Sequence, residues 1–378
     1  MLWNHDRYKL HSNAPLLLEL SAKPIGLHST LMWCSGEGEE AVTPPHTSLG
    51  SDSKIKIISS RQNSGQAARV LAIIVVYKIS PAECPTLQSL MASFACVVPQ
   101  ELQFKVLIYD NTEGGQEPGM LPEGVEYYAA TYNDGLANAY NFALSMAQTA
   151  GFDWLLTLDQ DTELPKSFLP RIAGIVRDLG ADIEIAGVVP LVCKDSIVIS
   201  PRMVRRGRSK NPPRGFVGVL KGEITAINSA TTWRVHALKE IGGFNPLFWL
   251  DYLDYWLCHI VHQAGKRIYV AGDIKVVHDL SLLGRKNNMS STRFSNFLQA
   301  ESAFYDLHKG RLDRCILTAR LFARLCRQII RHENVEFRRL TFGYILRQIR
   351  DTPANRIEDW KKSVTKRTSR GRTLNLEL

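Results

Sequence analysis

Cysteine is sparse in this sequence, and long apolar runs are missing. Seven cysteines, at positions 34, 84, 96, 193, 258, 315 and 326, are scattered through 378 residues and never spaced Cys-x-x-Cys. Neither a disulfide framework nor a structural zinc site is indicated, and reduced thiols are expected. The longest apolar stretches, VLAIIVVY at 70–77 and PLLLEL at 15–20, fall short of the roughly 18 residues a membrane span needs. A basic region, apolar core and cleavage site do not follow one another at the N-terminus. No secretory leader is therefore expected, and the expected compartment is the cytoplasm.

What is present is a core-forming composition, 45% hydrophobic, enough for one large or two modest domains. The net charge of +9 is unevenly spread. Residues 309–378 hold 18 Lys and Arg against 7 Asp and Glu, a net of +11, which leaves about −2 for the rest. No aromatic-interleaved motif accompanies the basic residues, so nucleic acid is not an expected partner.

Residues 1–68 are rich in Ser, Gly, Pro and His and lack periodicity, and a poorly ordered extension is expected there. From Val70 the pattern changes. VLAIIVVYKI reads as a strand, PAECPTLQSLMASFACV as a helix, FKVLIYDNTEGG and VEYYAATYNDG as two further strands. NDGLANAYNFALSMAQTAG then reads as a helix opened by Asn133, Asp134 and Gly135 and stopped by Gly151. Alternating strands and helices predict an α/β fold with a mainly parallel sheet, whose ligands bind beyond the carboxyl ends of the strands. Tyr77, Asp110, Asn133 and Asp159 all fall at or just after such ends.

The stretch WLLTLDQDTELP, 154–165, ends a buried strand on Asp159 and Asp161. The side-chain period of two sends both carboxylates to the same side. Such a pair serves either a solvated turn before the next helix or a hard divalent cation that relieves their repulsion while holding a phosphate. Further along, PRMVRRGRSKNPPRG at 201–215 breaks all periodicity and carries five basic residues between Arg205 and Arg214. It reads as a mobile loop, either a solvated linker or an arginine flap over a phosphate. In LFWLDYLDYWLC, Asp251 and Asp254 lie three apart, which on a helix puts both on one face. The aromatic residues around them predict partial desolvation and hence a stronger base.

In their order these segments resemble the family 2 glycosyltransferases of GT-A fold, especially the bacterial rhamnosyltransferase-like branch that extends surface polysaccharides. The resemblance spans about 70–285 and is carried by IIVVY, Asp110-Asn111, NDGLANAYN, LDQD, NSATTW with EIGGFN, and FWLDYLDYWLC followed by His278. It implies a GT-A domain over 69–290; beyond it the residues themselves read as a C-terminal helical region over 291–355 and a basic tail over 356–378. Its activity would be inverting transfer of a sugar from a dTDP- or UDP-sugar, with dTDP-rhamnose the preferred donor, to a glycan or lipid-linked acceptor. By the same resemblance Tyr77, Asp110, Asn111, Asn133, Gly135, Asn138 and Asp159 would bind the nucleotide sugar. Asp161, Asp159 and His278 would hold Mg or Mn, Asp254 would be the catalytic base, and Ser229, Trp249 and Asp251 would lie on the acceptor side. Three positions depart from the pattern: Trp256 replaces an acid, Ala230 a glycine and Ile260 a basic residue. Trp256 and Ala230 motivate the alternative of a nucleotide-sugar or glycan binding protein of the same fold without turnover.

Two other features complete the reading. Cys258, His259 and His262 sit close in sequence, but adjacent helical positions face different ways and no second cysteine pair completes a zinc site. RCILTARLFARLCRQIIRH, 314–332, places Ile316, Leu317, Leu321, Leu325 and Ile329 on one helical face with arginines largely elsewhere. That face either packs on the catalytic domain or rests on an anionic membrane surface. The closing KKSVTKRTSRGR reads as a disordered basic extension.

Overall fold

The computed structural model describes residues 67–373 apart from Ala181, Asp195, Ser196, Arg206, Gly207 and 279–288. The expected N-terminal extension lies outside the described residues except for its last two positions. In chain order the elements begin β1 (Ala68–Val76), α1 (Pro85–Phe94), β2 (Leu102–Asp110), β3 (Val125–Ala129), α2 (Gly135–Ala150), β4 (Trp154–Asp159) and β5 (Thr162–Glu163). They continue with α3 (Phe168–Asp178), β6 (Ile185–Lys194), β7 (Ile197–Ser200), β8 (Arg202–Arg205), β9 (Arg208–Lys210), β10 (Val217–Val219) and β11 (Ile224–Thr225). Then come β12 (Thr231–Arg234), α4 (Val235–Glu240), α5 (Leu253–Gln263), β13 (Arg267–His278), α6 (Ser291–His308), α7 (Arg311–Ile330), α8 (Val335–Arg350) and α9 (Pro353–Thr373).

The main sheet runs β10-β13-β6-β12-β4-β1-β2-β3. β3, β2, β1 and β4 are mutually parallel, β12 is antiparallel to β4 and β6, and β6 is parallel to β13. The run of parallel strands is the α/β pattern that the alternation predicted, and the antiparallel β10 and β12 make the sheet mixed. The reason is legible in β1, whose residues are apolar at nearly every position because both faces are covered. Leu71, Ile73 and Val75 pack into the core beneath α2 and α5. Val70, Ala72, Ile74 and Val76 point the other way, into the core under α1 and α3. Gly151, in left-handed conformation at φ +70°, stops α2 as its position suggested.

Two expectations are corrected. The segment 201–215 is not an irregular loop throughout: β8 and β9 form an antiparallel hairpin and β11 joins as a third strand. Arg202 closes the hairpin by donating to the Ser209 carbonyl at 3.1 Å and to Asn211. A ladder carried by the backbone, with basic side chains along it, leaves no alternation of hydropathy to read. The segment KKSVTKRTSRGR, 361–372, is likewise not a disordered extension, since it lies within α9, which is helical to Thr373. Trp360 is buried against the main core, and Arg356 pairs with the buried Asp306 of α6 at 2.7 Å.

Candidate active site

Three parallel strands end level with one another. Val76 is in register with Asp110, and Val75 with Asp159, so Tyr77, Asp110 and Asp159 meet at one rim. Asp110 is wholly buried. One of its oxygens accepts from the Thr112 amide at 2.8 Å, the other from the Tyr127 hydroxyl at 2.8 Å and Gln116 Nε2 at 3.1 Å. Its carboxylate therefore fixes the 110–116 turn. Asn111 is also buried, and its Oδ1 has no hydrogen-bond partner in the structure. Such an acceptor is costly to leave unmade, which suits a donor group arriving with a ligand. The Tyr77 ring is exposed, while its amide is held by Gln160 Oε1 at 2.7 Å.

The start of α2 is shaped by close backbone contact. Leu136 and Ala137 donate to the Trp249 carbonyl at 2.7 and 3.3 Å, so two of the helix's free amides are satisfied from a distant segment. Gly135 makes this possible. It sits at φ +84°, and a Cβ there would lie 2.5 Å from the Trp249 carbonyl oxygen and 2.7 Å from its ring. Asn133 Oδ1 accepts from the Gly135 amide at 3.2 Å, and Asn138 Nδ2 donates to the Asp134 carbonyl at 2.9 Å. All three residues thus shape the loop through backbone contacts.

Asp159, Asp161 and His278 come together. One ligand-capable atom from each lies within 4.8 Å of the others. His278 reaches the site because the last residues of β13 pair with the two-residue β5, opposite Thr162. Its Nε2 is 3.7 Å from Asp159 and its Nδ1 3.4 Å from Asp161. Thr162 Oγ1 lies 3.0 Å from Nδ1 and 2.6 Å from the Ser229 hydroxyl, which accepts from the Asp159 amide at 2.9 Å. Asp159 also accepts from Tyr140 at 3.1 Å, and its carbonyl from Thr86 at 2.7 Å. Two carboxylates and an imidazole converging in this way are a fitting donor set for a divalent ion that takes oxygen ligands.

Asp254 stands on the first turn of α5, deep among protein atoms though part of its surface stays open. Burial pushes its pKa up to about 7, with the charges of Asp251 and Asp159 adding to the rise against a hydrogen bond from the Tyr255 amide. The expectation that Asp251 shares its helical face is corrected. Tyr252 adopts a left-handed conformation at φ +65°, so α5 begins only at Leu253 and the two acids lose helical phase. The strain of about 1–2 kcal/mol at such a residue is offset by burial of its ring and by its hydroxyl, which donates to Glu301 at 2.9 Å. Asp251 turns to Arg293 of α6 at 2.9 Å and is buried, and that burial raises its pKa in spite of the arginine. It is part of the packing between the catalytic block and α6.

The remaining sequence-level candidates fall into place by packing. Trp256 is buried and stacked on Phe248, so the missing acid there is replaced by core. Ala230 is buried at φ +64°, a backbone conformation that glycine adopts without strain. Trp249 carries Arg367 of α9 at 5.1 Å over its ring. Cys258 and His259 face separate partners: the thiol accepts from the Ala226 amide at 3.3 Å and His259 meets Glu223 at 2.8 Å. Tyr140, Thr86, Thr162 and Gln160 were missed as site residues. Only Gln160, lying between the two aspartates, had a signal in the sequence.

With the geometry in place, residues 102–216 match the model for glycosyl transferase family 2. The matched segment contains Asp110, Asn133, Asp159 and Asp161, and ends before Asp254 and His278. The chain is also similar to the dTDP-rhamnosyl transferase RfbF of Shigella flexneri, 23% identical over 218 residues, covering 56% of this chain and 69% of that one. Among solved structures, S. aureus TarS has a TM-score of 0.42 at 14% identity, with 66% of this chain and 42% of TarS covered. Its 1–349 fragment gives 0.46 at 13% identity, with 80% and 92% covered. At those scores the likenesses add nothing to the fold, which stands on the strand order itself.

Proposed function

We propose, for a chain whose residues 102–216 are glycosyltransferase family 2 in sequence, an inverting transfer of a sugar from a nucleotide sugar to a hydroxyl acceptor. The observation that carries the reading is the presence of two groups within electrostatic reach of each other. A cluster able to hold a cation, Asp159, Asp161 and His278, lies near Asp254, a carboxyl tuned to about 7. Mg or Mn bound by that cluster would supply charge stabilisation to the departing diphosphate. The chain's own groups do the rest. Tyr140, Ser229 and Thr86 fix Asp159 so that it keeps its place without reorganising. Tyr77, the orphaned Asn111 oxygen and the turn fixed by Asp110 border the space for the nucleotide. Asp254 removes the proton from the acceptor hydroxyl as that oxygen attacks the anomeric carbon, and a pKa near 7 suits this task. A single base without a nucleophile gives inversion.

The similarity to a dTDP-rhamnosyl transferase supports dTDP-rhamnose as the donor, and the acceptor proposed with it is a surface glycan or lipid-linked sugar. Among the described residues no helix is long and apolar enough to cross a membrane. The basic C-terminal region would instead rest the protein on an anionic cytoplasmic membrane face. Calorimetric titration with dTDP, UDP and their sugars, with Mn and with chelator, tests the donor site. Metal-dependent binding lost in Asp161→Ala is expected. Failure of every nucleotide to bind under either condition would return Asp159 and Asp161 to the status of a turn.

A further inference from the structure

Helices α7 and α8 form an antiparallel pair whose inner faces are filled. Leu317 and Leu321 of α7 and Phe337, Tyr344 and Ile345 of α8 pack with Phe294 and Leu298 of α6. Only part of the apolar face read from the sequence is therefore available, since Leu317 and Leu321 are buried. The opposite side of α7 is apolar as well. Leu312, Phe322, Ile329 and Ile330 are exposed, Leu312 by 75% and Ile330 by 76%, and the exposed Cys315, Ala319 and Cys326 continue the same stripe. On α8, Val335, Phe342, Leu346 and Ile349 are exposed at spacings of seven, four and three, again one side of a helix. Exposed apolar side chains repeated along one side of each helix are the kind of surface that marks an interaction site.

We propose that this outer α7–α8 face is where the protein lies on an anionic lipid surface. The proposal deepens the membrane reading above by naming the surface that makes the contact. The choice of occupant follows from charge. Residues 311–350 carry ten arginines against Asp313, Glu333 and Glu336, a net of +7 with His332 neutral. Arg311, Arg327 and Arg331 are exposed and have no carboxylate partner among the described residues. A second copy docked face to face would set this arginine excess against itself, with few acids to answer it. Anionic headgroups answer it directly, while phenylalanine and aliphatic side chains enter the boundary of the acyl region, as amphipathic surface helices do. The inward side of α7 ties the face to the catalytic block. Arg324 donates to Glu301 of α6 at 2.8 Å, and Glu301 accepts the hydroxyl of Tyr252, two residues before Asp254.

The test is sedimentation of the full chain with sucrose-loaded vesicles of phosphatidylcholine, with and without phosphatidylglycerol. Binding to the anionic vesicles is expected, weakening with salt, and Phe322→Glu with Phe342→Glu should lower the partition coefficient at least tenfold. These positions are exposed, so the thermal melt of the double variant should match wild type. Wild-type protein that stays in the supernatant with anionic vesicles would overturn the proposal. So would a wild-type dimer in sedimentation velocity that the double variant dissociates, which places a second copy on the face. If Arg327→Gln with Arg331→Gln releases the protein and the phenylalanine pair does not, binding by charge alone stands and this apolar face is wrong. Nucleotide titration of the same samples reads the sugar-transfer proposal separately.

Discussion

Asp254 titrates where an acid–base residue is most useful, and replacing it gives two effects of opposite sign. Moving a carboxyl from 3.8 to about 7 corresponds to roughly 4 kcal/mol of preference for the protonated form. As the base, Asp254 must be ionised, and at pH 6 about one molecule in ten would have it so. kcat/KM should therefore fall close to tenfold per pH unit below 7 and level off above about 8. Asp254→Asn keeps an oxygen to accept from the Tyr255 amide, held at 2.8 Å, yet should lose at least about a hundredfold in transfer. Stability runs the other way. The folded state binds this proton more tightly than the unfolded chain, so wild type loses stability as pH rises from about 4 to 7. Asp254→Asn should accordingly match wild type at the acid end and exceed it above pH 7, by at most about 4 kcal/mol. Radiolabelled-donor initial rates from pH 5.5 to 9, with urea melts at pH 5 and 8, measure both. A level rate profile down to pH 5.5, or a variant that keeps more than a tenth of the activity, would refute the assignment.

Other changes probe the scaffold. Gly135→Ala puts a Cβ against the Trp249 carbonyl at a left-handed position and should destabilise by roughly 2–4 kcal/mol, with donor binding weakened in calorimetry as the start of α2 shifts. Arg356→Ala leaves Asp306 buried without its partner and should cost about 3–5 kcal/mol in urea unfolding. An unchanged midpoint would mean that α9 is not docked through this pair.

The sequence determined the elements of the parallel half of the sheet and where they end. The apolar run of β1 could only be a strand covered on both faces, Gly151 had to stop a helix, and β2 and β4 put Asp110 and Asp159 at their carboxyl ends by local pattern alone. Asp161, by contrast, falls in the turn between β4 and β5, so the strand period of two does not carry it to Asp159 and the turn itself brings the two together. The roles of individual carboxylates were decided by tertiary contacts. Asp110 is consumed by Thr112, Gln116 and Tyr127, and Asp251 by Arg293, because each depends on a residue that local pattern does not place beside it. The split between Asp251 and Asp254 hangs on one backbone angle at Tyr252, which is stable only because α6 receives the ring. His278 joins the aspartates through β13, more than a hundred residues away, and α7 is apolar on two sides, so only packing could say which side remained open. Hydropathy along the chain records how much surface each segment must bury. Which partner buries it is a property of the folded whole.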